Sequence, residues 1–506
     1  MDDKDPFGTH DWSDDQVIDD PAENRLKPVA RTKRPAIASI VIAAVLVLIG
    51  VAGVVVLAMT QYLPTGLFVL AVALDLIVVA GVAALLLVST PRSHPVRFWV
   101  SVILAIVMAV GNLGVVKVGA DFLSFTNKIQ APSADMVLYD VVVSTSGIND
   151  ISQLAGTQMG QVAADPLSDP VQAKVLSLVN VSFEQADSWV DLTSAVAQGS
   201  LPSVVIQDGF MQVLSDADPA TYASLTILTS FEIDSALAST APPSTATPPA
   251  ASDAFVIYVS GIDTYGNVST RSRSDVNQLI VVNPTTGKIL LVNTPRDFYV
   301  QLRDRPGLKD KLTHAGVYGI DVSMGTLEDL YDTTINYYLR INFSSLVTVV
   351  DALGGVDVDS AYAFSYGGYT FHQGMNHLTG AAALAFSRDR HDFATGDRIR
   401  GENQQRVITG IIHKLSDPSV LLGYSRILDA VQGSIQTSMP QDVIAAQVRQ
   451  QVASGRTWTV DSMSVNGSDG SEYTFSYPGQ RLYVMIPDQS TVDAAKAAIK
   501  AVLAGQ

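Results

Sequence analysis

At 506 residues, the chain is too long for one hydrophobic core and implies two or three domains. Its 32 lysines and arginines stand against 49 aspartates and glutamates, and the net charge of -17 argues against nucleic acid as a partner, because a phosphate backbone needs a basic surface. There is no cysteine, which excludes disulfides, thiolate nucleophiles and cysteine zinc sites.

The composition is 47% hydrophobic and 16% charged, and the apolar excess is concentrated near the N-terminus. Residues 1–34 form an acidic leader, with Asp2, Asp3, Asp5, Asp11, Asp14, Asp15, Asp19 and Asp20, too poor in apolar side chains to pack and expected to be disordered. Three apolar runs follow within 35–119: Ile37–Met59, Leu67–Val88 and Phe98–Val118. Each has the roughly 20 residues that a helix needs to cross the hydrocarbon with its backbone polar groups satisfied internally. Arg25, Lys27, Arg31, Lys33 and Arg34 precede the first run, the loop Thr60–Gly66 is uncharged, and the second loop carries Arg92, His94 and Arg97. The positive-inside rule then puts the N-terminus and the second loop in the cytoplasm and everything after Val118 outside the cell. A cleaved signal peptide fits poorly, since the first run is too long and two more follow. Asp75, inside the second run, is either protonated and hydrogen-bonded within the bundle or functional.

Residues 120–235 read as a smaller extracellular α/β region: Met136–Val143 and Leu201–Gln207 predict strands and Val190–Gln198 a helix. No catalytic spacing is visible there, and a spacer or packing domain is the expectation. Residues 236–253, rich in Pro, Ala, Ser and Thr, read as an extended linker. From 254 to 506 the chain alternates strands and helices. Phe255–Gly261 is β-rich and ends at glycine, and Asn277–Val282 and Lys288–Asn293 flank a turn at Asn283–Gly287. Asn342 is placed to cap a helix ending near Leu353, with Gly354 and Gly355 as the stop. The fold class is α/β, a layered sandwich with the smaller α/β domain and a three-helix membrane anchor before it. Leu346, Val347, Val349, Val350 and Leu353 follow the pattern of a core helix, with a polyprenyl pocket as the other reading. His314, His372, His377 and His391 do not form a metal-spaced pair and read as structural or exposed.

Charged residues gather at the ends of these elements: Gly261-Ile262-Asp263, Arg271-Ser272-Arg273-Ser274-Asp275, Pro295-Arg296-Asp297 with Lys309–Lys311, and Ser387-Arg388-Asp389-Arg390 through Asp397, Arg400 and Gln404. At about 100° per residue, Asp397, Arg400 and Gln404 share a helix face with Ile408, Ile411 and Leu415, so a predicted buried stripe turns from apolar to charged. Such local breaks tend to fall at functional sites; the other reading is that the helix leaves the core at its N-terminal end and these residues are solvated.

These ordered motifs, together with Leu353-Gly354-Gly355-Val356-Asp357-Val358, resemble the LytR-CpsA-Psr family of wall-polymer ligases over roughly Ala254 to the end. The three spans and the extra domain resemble its capsule-assembly branch. Asn403, where many members have arginine before the paired glutamines, is a departure that removes one expected phosphate contact. The resemblance implies an α/β/α sandwich around a mixed central sheet. It also implies a multi-pass cell-membrane enzyme that moves a phosphate-linked glycopolymer, capsular or teichoic-acid-like, from undecaprenyl pyrophosphate to a peptidoglycan sugar hydroxyl. Its partners would be the lipid-linked glycan, peptidoglycan and membrane lipid. Arg273, Arg296, Lys311, Arg388, Arg390, Arg400 and Gln404 would hold the pyrophosphate. Asp263 and Asp275 would hold magnesium or manganese, and Arg296, Arg388, Arg390 and Asp397 would act in catalysis, with Asp397 or Asp297 as base. Forked guanidinium donors and paired carboxylates suit a metal-bound pyrophosphate. Hydrolysis of the donor, and a non-catalytic membrane scaffold, are the alternatives.

Overall fold

The computed structural model describes residues 37–60, 63, 65–89, 94–129, 135–145, 147–237, 253–262, 268–389, 396–417, 420, 430–431 and 433–506. The acidic leader and most of the proposed linker lie outside them. Helices α1 (Ile37–Thr60), α2 (Thr65–Val88) and α3 (Pro95–Ile129) are each long and apolar enough to cross a membrane. The third continues past the expected end at Val118, because Lys117 and Asp121 pair at i,i+4 and support the polar extension.

The chain divides into two compact units. In the first, which takes in 37–50 and 75–110, Leu46, Val79, Leu86 and Phe98 form a small core. Gly50 leaves room there for Asp75, whose Oδ2 lies 3.5 Å from where a Cβ at Gly50 would sit. The second unit takes in 51–74 and 111–506 and holds both α/β regions.

The smaller region is a five-stranded mixed sheet in the order β3-β2-β4-β1-β5. Its strands are β1 (Met136–Ser144), β2 (Gln158–Val162), β3 (Ser182–Ala186), β4 (Ser203–Gln207) and β5 (Leu225–Asp234). Helix α4 (Ser168–Leu178) places Val171 and Val175 in a core with Val137 and Val205. Helices α5 (Trp189–Ala197) and α6 (Asp208–Ala217) bury Leu192, Val196, Met211 and Leu214 against Val204 and Ile206. Short α7 (Pro219–Ala223) is capped by Asp218.

The larger region is built on a six-stranded mixed sheet in the order β16-β11-β6-β7-β8-β17. Strand β6 (Phe255–Ile262) runs antiparallel to β7 (Ser274–Asn283) and parallel to β11 (Tyr337–Asn342). The hairpin to β8 (Lys288–Thr294) closes with Asn283 opposite Lys288, and the Asn283 Oδ1 accepts from the Thr285 and Thr286 amides. The two-residue strands β9 (Tyr299–Val300) and β10 (Asp310–Lys311) follow, then the short α8 (Ala315–Tyr318) and α9 (Ile320–Tyr331). Helix α10 (Phe343–Ala352) begins at the expected cap: Asn342 Oδ1 accepts from the Ser345 amide at 2.8 Å, and Gly354 and Gly355 end it at positive φ. After it come β12 (Val356–Ser360), β13 (Phe364–Tyr366), β14 (Tyr369–Phe371), β15 (Gly374–Leu378), α11 (Gly380–Arg388) and α12 (Gly396–Ser416). The chain finishes through β16 (Ile435–Thr437), α13 (Gln441–Ser454), β17 (Thr459–Ser464), β18 (Gly467–Tyr473), β19 (Arg481–Pro487) and α14 (Gln489–Leu503).

Because side chains alternate along a strand, Val256 and Tyr258 of β6 face α9 and α14 while Phe255 and Ile257 face α12 and α13. Helices cover both faces, the α/β/α sandwich expected from the sequence. The stripe through α12 is confirmed at Arg400, Gln404, Ile408 and Ile411 but not at Leu415, whose side chain is exposed. The buried side of α12 is set instead by Val407 in the core, by Gln405, which donates to the Leu291 and Met463 carbonyls, and by Gly410, packed on the Asp357 carbonyl of β12.

The two α/β regions share an apolar seam. Trp189 stacks on Phe210, which meets Tyr318 edge-on, and Val317, Tyr477 and Leu482 of the larger region join the core of the smaller one. Gly209 allows this approach: a Cβ there would lie 2.8 Å from Val317 Cγ1. Buried Arg340 of β11 and Arg271 both bind Asp135, at 2.8 and 3.3 Å. Burial would raise the Asp135 pKa, but the two guanidinium groups hold it below the ordinary value.

Candidate active site

Strands β6 and β11 are parallel, so their carboxyl ends lie together, where open α/β sheets present ligand sites. A register shift between Gly261 and Ile262 bends the end of β6 there. A cavity of about 390 Å³ opens at this edge. Its polar wall contains Arg273, Asp275, Arg296, Arg388, Arg400 and Gln404, and its apolar wall contains Val259, Ile341, Phe343, Leu346, Leu384, Val407 and Ile408. Five of the expected phosphate contacts, from three separate stretches of sequence, therefore converge on one hollow with Asp275. Leu346 belongs to this wall as well as packing against the neighbouring core, while Val350 and Leu353 of the same aliphatic pattern lie in that core.

Arg296 follows β8 and is enclosed by carboxylates. Its Nη1 donates to both oxygens of Asp275 at 2.9 Å, Nε donates to Asp297 at 3.4 Å, and Nη2 lies 3.9 Å from Asp216. Burial alone would lower its pKa, but Asp275, Asp297 and Asp216 together raise it above the ordinary value, so it is charged throughout the physiological range. Arg273, almost fully buried, donates from Nη1 to Asp216. Arg388 ends α11, where a cation complements the helix dipole, and its guanidinium stacks 4.4 Å over the Phe343 ring. Arg400 and Gln404 come from the first turns of α12.

Lys311 does not line the cavity. Its Nζ lies 3.1 Å from Asp297 Oδ1, behind the Arg296 contact, so it supports that carboxylate. Held by Lys311 and Arg296, Asp297 is placed to orient them. Asp263 and Arg390 lie outside the described residues. Asp397 is the second residue of α12, and its side chain also lies outside them. His314 is buried and bonded to Asp310 at 2.6 Å, and His377 pairs with Asp357 at the surface.

Among the described residues, no group of three or more His, Asp or Glu is placed to hold a metal. Magnesium takes most of its oxygens from phosphate and water and needs one or two protein carboxylates, and Asp275 supplies one at the cavity wall. Thr313 Oγ1 also donates to Asp275, at 3.1 Å.

Two further features were not expected. Asp216, near the C-terminal end of α6, enters the cavity wall from the smaller domain. The signal that points to it is the spacing Asp208, Gln212, Asp216, three polar residues at i, i+4 and i+8 opposite the apolar face of α6. A larger, open groove of about 520 Å³ runs along another face of α12, past Asp357, Asp359, Glu402, Arg406 and His413. Its charges are mixed, and it contains none of the expected site residues.

The α/β/α sandwich thus carries at its strand ends a cavity with arginines on one wall and apolar side chains on the other. The chain belongs to the LytR-CpsA-Psr family: the model for the LytR_cpsA_psr family matches residues 221–500, more than half of the sequence. It is 38% identical over 192 residues to a polyisoprenyl-teichoic acid--peptidoglycan teichoic acid transferase TagU from Bacillus cereus (strain AH820), covering 38% of this chain and 62% of that one. To TagU of Bacillus subtilis (strain 168) it is 33% identical over 191 residues, covering 38% and 61%. The chain thus spans about three fifths of the length of these relatives. The crystal structure of B. subtilis TagV aligns over 50% of this chain and 98% of its own, with a TM-score of 0.43 and 25% identity.

Proposed function

We propose that this chain is a membrane-anchored transferase that moves a phosphate-linked glycopolymer from an undecaprenyl pyrophosphate carrier to a sugar hydroxyl of peptidoglycan. The observation that carries this reading is the cavity, whose four arginines meet an apolar wall, as a doubly charged head on a polyprenyl chain requires. The names of the TagU relatives support the same reaction class. The basic residues before α1 support an N-terminus in the cytoplasm and α/β domains outside it.

In this reaction Arg273, Arg296, Arg388, Arg400 and Gln404 orient the pyrophosphate, with Arg390 as a further contact from the sequence motif. Phosphoryl transfer asks for positioning and charge stabilisation more than covalent help. The acceptor oxygen attacks the glycan-side phosphorus, the bond from that phosphorus to the bridging oxygen breaks, and undecaprenyl phosphate leaves with the electron pair. Asp397 takes the hydroxyl proton, while Asp297 holds Arg296 and Lys311 in place. Asp275, with Asp263, would hold a magnesium ion, which supplies charge neutralisation at the phosphate oxygens.

The test is incubation of the full-length protein in detergent with lipid-linked donor, cell-wall fragments and magnesium. Polymer joined covalently to the wall is the expected product. Free phosphoglycan with no wall adduct identifies a hydrolase, and unreacted donor identifies a scaffold.

A further inference from the structure

Asp216 is out of place on its own helix. It sits in the last turn of α6, where the helix dipole disfavours a negative charge, and its helix belongs to the domain that carries none of the family motifs. What holds it there lies across the seam: a hydrogen bond from Arg273 Nη1 and the approach of Arg296 Nη2. Gln212, one turn earlier, fixes the register of this contact by accepting from Ser272 Oγ at 2.9 Å while it donates to Asp208.

The carboxylates around Arg296 differ in how firmly they are held. Asp275 and Asp297 are 14% and 11% exposed, come from the same domain as the arginine and have further partners in Thr313 and Lys311. Asp216 is 38% exposed, comes from the other domain and makes the longest contact with Arg296. A carboxylate at the meeting point of two guanidinium groups, open to the cavity, stands where one oxyanion of a bound phosphate would stand.

We propose that Asp216 sets the affinity of the donor site: it occupies the anion position formed by Arg273 and Arg296, and the pyrophosphate of the donor takes its place. This rests on the donor-binding reading of the cavity and adds that the smaller domain closes the site with an anion of its own. Binding exchanges a carboxylate for a phosphate at Arg273 and leaves Asp275 and Asp297 on Arg296. The smaller domain thereby raises the donor concentration needed to fill the site.

The probe is inorganic pyrophosphate with magnesium, titrated calorimetrically into the full-length protein in detergent. Asp216→Asn keeps the shape and removes the charge, and it is expected to bind roughly tenfold more tightly than the parent, a change that shrinks as salt screens the site. Asp216→Glu, which keeps the charge, is expected to remain near the parent affinity. Asp216→Ala is expected to follow the asparagine variant. Equal or weaker binding by both the asparagine and alanine variants, with the parent still binding in an Arg388-dependent way, overturns this inference and leaves the donor site standing. Absence of pyrophosphate binding in the parent and all variants overturns both.

Discussion

The two α/β domains bury polar side chains in opposite ways. In the smaller one, polar groups close on each other: Gln161 accepts from Gln172 and Gln185 and donates to the Ser168 carbonyl, and Tyr139 and Gln207 share Asp165. In the larger one, buried guanidinium groups are drawn to one edge of the sheet, face carboxylates on one side and look into an open cavity on the other. Polarity that is satisfied internally stabilises a fold, whereas charge held at a cavity wall at the cost of desolvation points to a ligand.

The sharpest way to break this contrast is Arg296→Ala. It removes the group on which three carboxylates converge and is expected to lower polymer transfer by about 10³-fold or more, read as wall-linked polymer made by membranes carrying the variant. Arg340 is the counter-case, a buried arginine engaged in the fold rather than the cavity. Arg340→Ala leaves Asp135 with Arg271 as its one remaining guanidinium partner and should cost about 1.5–3 kcal/mol in denaturant unfolding of the detergent-solubilised protein. Arg388→Ala should lower transfer by about 10²-fold with little change in melting temperature, and Arg388→Lys should restore little, since an ammonium group neither forks nor stacks on Phe343 in the same way.

A further effect concerns pH. Asp140 of β1 is buried beside Asp208, and burial and that neighbour outweigh its hydrogen bond from Ser230, pushing its pKa from 3.8 to about 7. The folded state therefore keeps a proton that the unfolded chain has already lost. The contribution of Asp140 to stability is fully present below about pH 4, falls by at most about 1.4 kcal/mol per unit as pH rises towards 7, and is level above that. Asp140→Asn, which can accept from Ser230 and donate to Asp208, should flatten this decline in a series of thermal melts from pH 4 to 9.

The framework of the larger domain was readable because its signals are local. The hairpin around Asn283–Gly287, the Asn342 cap and the Gly354-Gly355 stop each depend on backbone chemistry within a few residues. The arginines of the cavity wall were readable because they lie in short ordered motifs at element ends. Lys311 was placed in the right neighbourhood, but one layer back, since sequence proximity to the phosphate motifs does not say which side chain stands in front. Leu415 followed an ideal helical repeat, while the real helix turns its buried side to β8 and β12 through Gln405 and Gly410. Asp216 was missed for a deeper reason: the spacing of Asp208, Gln212 and Asp216 marks a polar face on α6 but not what that face meets, and its contact with Arg273 spans 57 residues and a domain boundary.

The aromatic seam has a practical consequence for handling the protein. A fragment beginning at Ala254 would keep every family motif yet lay bare Val317, Tyr318, Tyr477 and Leu482, which in the whole chain are covered by Trp189, Phe210 and their neighbours. Contiguous bare apolar surface of this kind drives self-association, so the severed piece would need detergent or its missing partner to stay monodisperse.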